Sequence, residues 1–127
     1  MAKKTITALM VAPGMEPCVV KLPNIKGYLQ QAVSVGMDEV YPMEILKLNP
    51  SIAIFHLSNA PIGWARCNRR IGSQILMGVF YVVAVDDGKL RSLSAEELEC
   101  YKAMFWEPES FTDEDAVDAF LGRLCSD

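Results

Sequence analysis

Segment 58–73 contains the residues best suited to chemistry in this chain of 127 residues. Arg69 and Arg70 lie three and four residues after Arg66, so one helical turn would point all three side chains in the same direction. Guanidinium groups match the geometry of phosphate and carboxylate oxygens. The segment also supplies amide donors and an aromatic face for stacking, at Asn59, Asn68 and Trp64. Together these residues predict a binding site for a nucleotide-like or other anionic small molecule.

The distribution of charge offers an alternative explanation for the same arginines. Residues 1–85 contain 8 Lys/Arg and 4 Asp/Glu, whereas residues 86–127 contain 4 Lys/Arg and 12 Asp/Glu. Segment 58–73, called the basic segment below, and the acidic C-terminal part could therefore form ion pairs within the protein. The acidic part, with Trp106, could instead bind a basic surface on another protein. The glutamates expected to contribute to that surface are Glu107, Glu109 and Glu114.

Two further side chains raise the alternative of an enzyme that cleaves a nucleotide signal. His56 is the one histidine of the chain, and its apolar neighbours at two-residue steps are typical of a half-buried, structural histidine. Cys67 lies beside arginines that would favour its thiolate form. The sequence contains no phosphate-binding loop, dinucleotide-binding glycine motif or nucleophile elbow. We therefore expect a binding protein without catalytic residue, metal or cofactor, and keep His56 and Cys67 as the alternative catalytic residues.

The composition is that of a globular domain, with 51% hydrophobic and 22% charged residues. Its longest uncharged apolar run, Ile75–Val85, is too short to span a membrane as a helix. Four cysteines are scattered without the two-residue spacing of a zinc or redox motif, which is typical of reduced thiols in a cytosolic protein. The sequence pI of about 5.0 disfavours a protein that wraps DNA. We expect a cytoplasmic protein with no membrane contact.

Alternating apolar residues predict the strands that must position these side chains. The first two strands are separated by Pro13-Gly14, which favours a hairpin. Pro42 interrupts the third strand and therefore predicts an edge or a bend. The run Ile75–Val85 is interpreted as one central buried strand, and the basic segment is expected to lie against the first residues of this strand. The other predicted strands are Thr5–Ala12, Glu16–Leu22, Asp38–Leu48 and Ser51–Leu57.

Start signals predict three helices. Asn24 caps the first, which Gly36 ends. Ser94 with Glu97 forms a capping box for a helix at about 94–105, and Thr112 with Asp115 does the same for 112–125. The whole chain, 1–127, then forms a single α+β domain, with a mainly antiparallel sheet of about five strands packed with three helices.

Five short motifs follow one another at spacings that together resemble a known family. They are Val11–Pro17, Val40–Pro42, Asn68-Arg69, Gly78–Val83 and the segment from Ser92 through Phe111. In this order they resemble the uncharacterised domain-of-unknown-function family 3846, which is associated with bacteriophages and mobile elements. The family usually has a Gly-Leu-Pro approach to its Asn-Arg, where this chain has Trp64-Ala65-Arg66-Cys67.

The resemblance implies a phage-type accessory protein of the host cytosol, and it supplies no established catalytic residues. Combined with the basic segment, it leads us to expect sequestration of a nucleotide-like ligand in an anti-defence role. Under the alternative of a protein-interaction inhibitor, the expected partner is a host defence protein. A homo-oligomer would place the basic segment at a subunit boundary, where pockets often form.

Overall fold

A computed structural model describes residues 5–24, 43–57, 67–72, 74–109, 111–112 and 114. Within these ranges the chain forms eight strands and one helix. The helix, α1, spans Ala95–Met104. The strands are β1 (Thr5–Val11), β2 (Cys18–Pro23), β3 (Met43–Asn49), β4 (Ile52–Leu57), β5 (Cys67–Ile71), β6 (Gln74–Met77), β7 (Phe80–Asp86) and β8 (Lys89–Arg91).

Six of the strands form one antiparallel sheet in the order β2-β1-β7-β4-β3, with β8 paired to the end of β7. This confirms the predicted α+β class with a mainly antiparallel sheet, but the sheet has six strands where about five were predicted, and the described residues form one helix where three were predicted for the whole chain. The expected β1–β2 hairpin is also confirmed, with partners from Thr5↔Pro23 to Met10↔Cys18. Gly14 in its turn has φ +73°, a conformation that costs glycine little. Strand β3 lies at the edge of the sheet, as predicted.

The prediction of one central strand over Ile75–Val85 was wrong. The chain breaks at Gly78, whose φ of 71° no extended strand can contain. Strand β7 after the break is the centre of the large sheet, whereas β6 before it pairs with β5 in a separate two-stranded sheet. The apolar pattern did not reveal the break, because residues on both sides of Gly78 are buried. Part of the segment expected to be an irregular loop is therefore strand β5.

Two apolar clusters cover the two faces of the large sheet. One contains Ala8, Phe55 and Val83; the other contains Leu9, Ile54 and Val82 from the alternate positions of the same strands. Successive residues of all three strands are thus buried on opposite faces, as expected for a central sheet. Helix α1 packs on the second face through Tyr101 of its apolar stripe. The flanking residues Leu93 and Phe105 pack on the same face.

Helix α1 begins as its sequence predicted. The Ser94 hydroxyl accepts the Glu97 N–H, and the Glu97 carboxylate accepts the Ser94 N–H, which completes the capping box. Arg91 from β8 donates two hydrogen bonds to the same carboxylate, at 2.9 and 3.0 Å. These contacts attach the start of the helix to the end of β8. The other two predicted helices, which begin at Asn24 and Thr112, extend over residues outside those described.

The contacts of Glu97 predict an acid-sensitive contribution to stability. The Arg91 hydrogen bonds, then the Ser94 N–H, lower the pKa of Glu97 from 4.5 to about 2. A carboxylate whose pKa is lower in the folded than in the unfolded state stabilises the protein at pH values above its unfolded-state pKa. This contribution is lost as pH falls from about 4.5 towards 2. We expect Glu97→Gln to lower the unfolding free energy at pH 7 by about 1 kcal/mol, because the pair is partly exposed.

The measurement is urea unfolding of both proteins between pH 7 and pH 2. The difference between wild type and Glu97→Gln should shrink towards zero at the acidic end. Glu96→Gln, one residue earlier in the first turn, is the matched control and should lower the unfolding free energy at pH 7 by less than Glu97→Gln does. A difference that stays constant across this range would contradict the assigned role of Glu97.

Candidate interaction surface

Strand β5 gives its two arginines opposite environments. Successive side chains of a strand point to opposite sides. Arg69 is 1% exposed, whereas Arg70 is exposed. The expected helical turn would have pointed both guanidinium groups in one direction. Two of the three arginines predicted to grip a ligand together are therefore separated by the strand itself.

Arg69 is fully engaged with the protein's own backbone and one amide. Its Nε donates to the Phe105 carbonyl at 3.1 Å, and its Nη2 donates to the carbonyls of Phe105 and Met15, both at 2.7 Å. Its Nη1 donates to the Asn68 carbonyl at 3.3 Å and to the Asn68 side-chain oxygen at 2.8 Å. A guanidinium group has five N–H donors. All of them are occupied, which gives Arg69 an internal role in place of the predicted ligand contact.

The buried charge of Arg69 is stabilised by the end of helix α1. Phe105 is the C-cap residue, so its carbonyl lies at the negative end of the helix dipole. Burial lowers the pKa of Arg69 from its ordinary value, and the negative charge of Glu109 opposes this shift. Arginine stays protonated at neutral pH in such surroundings. The cation therefore connects the β1–β2 turn, strand β5 and the end of the helix.

Asn68 completes the same internal network. The side chain is fully buried, and its Nδ2 donates to the carbonyls of Val11, at 2.9 Å, and Gly78, at 2.8 Å. The Gly78 carbonyl belongs to the break between β6 and β7. Asn68 thus fixes the small sheet to the end of β1 and to this break. Like Arg69, it has internal partners where the sequence predicted a donor to a ligand.

Arg70 is exposed and bound to the segment that follows helix α1. Its guanidinium carbon lies 5.2 Å from the centroid of the Phe111 ring, within the range of a cation–π contact. Its backbone N–H donates to the Glu109 carboxylate at 3.1 Å. Among the described residues, this contact between the basic segment and the acidic part is made by the Arg70 backbone and is not the guanidinium–carboxylate ion pair that the alternative predicted. The remaining predicted ligand-binding residues, Arg66, Asn59 and Trp64, lie outside the described residues.

The two alternative catalytic residues lie on different faces of the sheet. His56 is 1% exposed and follows Ile52 and Ile54 on one face of β4; its Nε2 is 4.0 Å from the Glu44 carboxylate. It is more deeply buried than the sequence suggested. Cys67 is half-buried and packs against the cluster of the opposite face.

Three large apolar side chains remain exposed around the Arg69 network. Met15 is 60% exposed, Met104 59% and Trp106 42%. The carbonyls of Met15 and Phe105 bind the same nitrogen of Arg69, so the β1–β2 turn lies beside the end of helix α1. We call Met15, Met104 and Trp106 the apolar patch. Its neighbours in sequence, Glu16, Glu107 and Glu109, are exposed carboxylates.

Sequence reasoning singled out Trp106 but missed the other two members of the patch. A signal for them exists. Met15 follows the turn glycine of a hairpin, and Met104 lies outside the apolar stripe of Leu98, Tyr101 and Phe105. Large apolar residues at such positions cannot join the core of their own element. Their exposure is informative because Arg69 binds the backbone of both segments that carry them, whereas scattered single exposed apolar residues are ordinary.

A cleft lies at the other end of helix α1. Its volume is about 350 Å³, and its walls come from the β3–β4 turn and the first turns of the helix. Asn49 spans this region, because it accepts the Ser51 N–H at 2.7 Å and donates to the Tyr101 hydroxyl at 3.2 Å.

In the ranges that the structure describes, no group of three metal-binding side chains occurs and no helix is long and apolar enough to cross a membrane.

Comparison of the chain with family models, with curated proteins and with solved structures gave no match. The resemblance to the phage-associated family therefore stays a prediction.

Proposed function

We propose that this protein is a non-enzymatic interaction protein that binds a second protein through the apolar patch. The observation that carries the proposal is the exposure of Met15, Met104 and Trp106 on backbone that one buried arginine holds together. Tryptophan and methionine are enriched at protein interfaces, and tryptophan is a common hot spot. An ordered backbone reduces the conformational entropy lost when such side chains are buried by a partner.

The charges around the apolar patch favour a partner with a basic surface. Glu16, Glu107 and Glu109 are exposed, and residues 86–127 have a large excess of acidic side chains. A polar rim around an apolar centre is the usual anatomy of an interface. Rim carboxylates would accelerate association with a positively charged protein and make it sensitive to salt. This supports the interaction inhibitor considered from the sequence.

Capture of an anion through the basic segment has less support. Arg69 and Asn68 have internal partners, and the Arg70 guanidinium lies over Phe111. To reach Arg69, a ligand would have to displace several short hydrogen bonds. Each displaced bond would leave a buried or partly buried oxygen atom without its donor. The proposal therefore places function on the apolar patch and gives these buried residues a structural role.

Photo-crosslinking tests the proposed surface. The photoreactive residue benzoylphenylalanine replaces Met104, and the protein is irradiated in the lysate of the cells in which it is naturally made. We expect one crosslinked species that an excess of unlabelled wild type removes and that unlabelled Trp106→Ala fails to remove. Trp106→Ala should compete at least about tenfold less well, the usual loss at an interface hot spot.

The matched control carries the same photoreactive residue at Lys89, an exposed position at the start of β8. It should give no species that competes with the unlabelled wild type. Equal competition by wild type and Trp106→Ala would contradict the proposal, and so would identical products from positions 104 and 89.

A further inference from the structure

The segment after helix α1 contains two pairs of an aromatic residue and a glutamate. Glu109 and Phe111 form one pair, and Trp106 and Glu107 form the other. The first pair already contacts an arginine of this chain: the Arg70 guanidinium lies 5.2 Å from the Phe111 centroid, and the Glu109 carboxylate accepts the backbone N–H of the same residue at 3.1 Å. The Phe111 ring is thus one example in this segment of an aromatic side chain that binds a guanidinium group.

The second pair has the same chemistry but faces solvent. Trp106 is 42% exposed, and Glu107 is exposed beside it. Among the residues that the structure describes, the cation–π contact is the one between Arg70 and Phe111. The indole ring is the strongest of the aromatic side chains in attracting a cation to its face. Trp106 and Glu107 therefore offer a second arginine site, open to another molecule.

We propose that Trp106 and Glu107 bind an arginine of the partner protein. The proposal rests on the proposed function and specifies the partner chemistry at the apolar patch. The guanidinium plane would stack on the indole while its N–H donors reach the carboxylate of Glu107. The partner residue is arginine and not lysine, because a guanidinium group is planar and weakly hydrated, whereas an ammonium group is a compact, strongly hydrated charge.

The two methionines of the apolar patch fit the rest of such a side chain. An arginine places a three-carbon stem along apolar surface while its charged end contacts polar groups. Met104 is the last residue of α1, Met15 belongs to the β1–β2 turn that Arg69 binds to the helix end, and both side chains are more than half exposed. Methionine adapts its shape to a contacting chain at low cost. The site would therefore combine a carboxylate for the guanidinium end with exposed apolar side chains for the stem.

A pair of synthetic peptides tests the preference for arginine. Both are fluorescein-labelled peptides that alternate leucine with a basic residue, one with arginine throughout and its twin with lysine. Fluorescence anisotropy at low and at physiological salt gives their Kd values for the wild type. We expect the arginine peptide to bind at least about threefold more tightly, and Trp106→Ala to weaken its binding about tenfold.

Two further variants separate the contributions. Trp106→Leu keeps an apolar side chain and should lose the preference for arginine while it retains part of the affinity. Glu107→Gln should weaken binding and reduce its salt dependence. Each variant is first shown to melt at the wild-type temperature, which is expected because both side chains are exposed.

Equal Kd values for the two peptides, or wild-type binding by Trp106→Ala, would overturn this inference. Either result leaves the crosslinking from position 104 unaffected, so an interaction protein without an arginine site is distinguishable from a protein without this interface. Loss of both the crosslink and the peptide preference would overturn both proposals together.

Discussion

Replacement of Arg69 by methionine is expected to lower the free energy of unfolding by about 3–5 kcal/mol. Methionine fills much of the volume of the arginine stem but donates no hydrogen bond. Carbonyls of Met15, Phe105 and Asn68 would lose their donor while they stay buried or partly buried. Removal of one partner from a buried polar group costs the full desolvation energy of the group that remains. Several carbonyl groups would incur this desolvation cost in the same variant.

The measurement is urea unfolding followed by far-UV circular dichroism, with the midpoint and slope fitted together. Arg70→Met is the matched control, since it changes the neighbouring arginine of the same strand. Its side chain is exposed, so the expected loss is about 1 kcal/mol or less. Arg69→Lys should fall close to Arg69→Met, because an ammonium group cannot reproduce five donors in a planar array. Equal midpoints for Arg69→Met and Arg70→Met would contradict the buried network.

This network explains why a basic segment can look like a ligand site in the sequence. The partners of Arg69 are far away along the chain: Met15 is 54 residues distant and Phe105 is 36. No local pattern reports such contacts. Arg69 donates to oxygen atoms, as expected of a guanidinium group, whereas the spacing of the arginines wrongly predicted that their side chains point in one direction. The oxygens, however, are carbonyls of the same protein.

The error over Arg69 follows from a local error over secondary structure. The sequence Cys67–Ile71 is polar and lacks the alternation that identifies a strand, so a turn or loop was expected. Tertiary context decided otherwise, because β6 supplies a pairing partner and Asn68 supplies buried hydrogen bonds. Once the segment is a strand, residues 69 and 70 must face opposite sides. Whether an arginine of this strand is buried or exposed therefore depends on which face of β5 its position occupies.

Elements with local signals were predicted well. The capping box of helix α1 is encoded in four consecutive residues, and the hairpin turn is encoded by Pro13-Gly14; both were confirmed. The break at Gly78 was not, although glycine inside a strand pattern is a known warning of a distorted backbone. Apolar residues flank Gly78 on both sides, so the pattern alone could not distinguish one long strand from two short ones.

The apolar patch illustrates the complementary limit. Exposure of Met104 was implicit in the helical pattern, because it falls outside the stripe that packs on the sheet. Its proximity to Met15 was not, since that depends on the Arg69 bridge between the β1–β2 turn and the end of α1. Individual exposed side chains can be predicted from periodicity. A surface made of several elements requires the tertiary contacts that assemble them.

The Asn68→Ala variant is expected to lose about 2–4 kcal/mol of stability, the second-largest effect at the buried network. Alanine removes both N–H donors that satisfy the carbonyls of Val11 and Gly78, and it removes the oxygen that accepts a bond from Arg69. Two buried carbonyls and one guanidinium N–H are then left without partners. The cost should exceed that of an ordinary side-chain hydrogen bond, which is about 1 kcal/mol.

Urea unfolding measures this loss, and two comparisons make it specific. Asn49→Ala is the matched control, because this asparagine also makes two hydrogen bonds but is exposed at the end of β3; about 1 kcal/mol or less is expected. The double variant of Asn68→Ala with Arg69→Met should cost at least about 1 kcal/mol less than the two single losses combined, because residues in one network are coupled. Additive losses, or a loss for Asn68→Ala no larger than for Asn49→Ala, would show that Asn68 does not act through this network, and the ordered backbone beneath the apolar patch would need another cause.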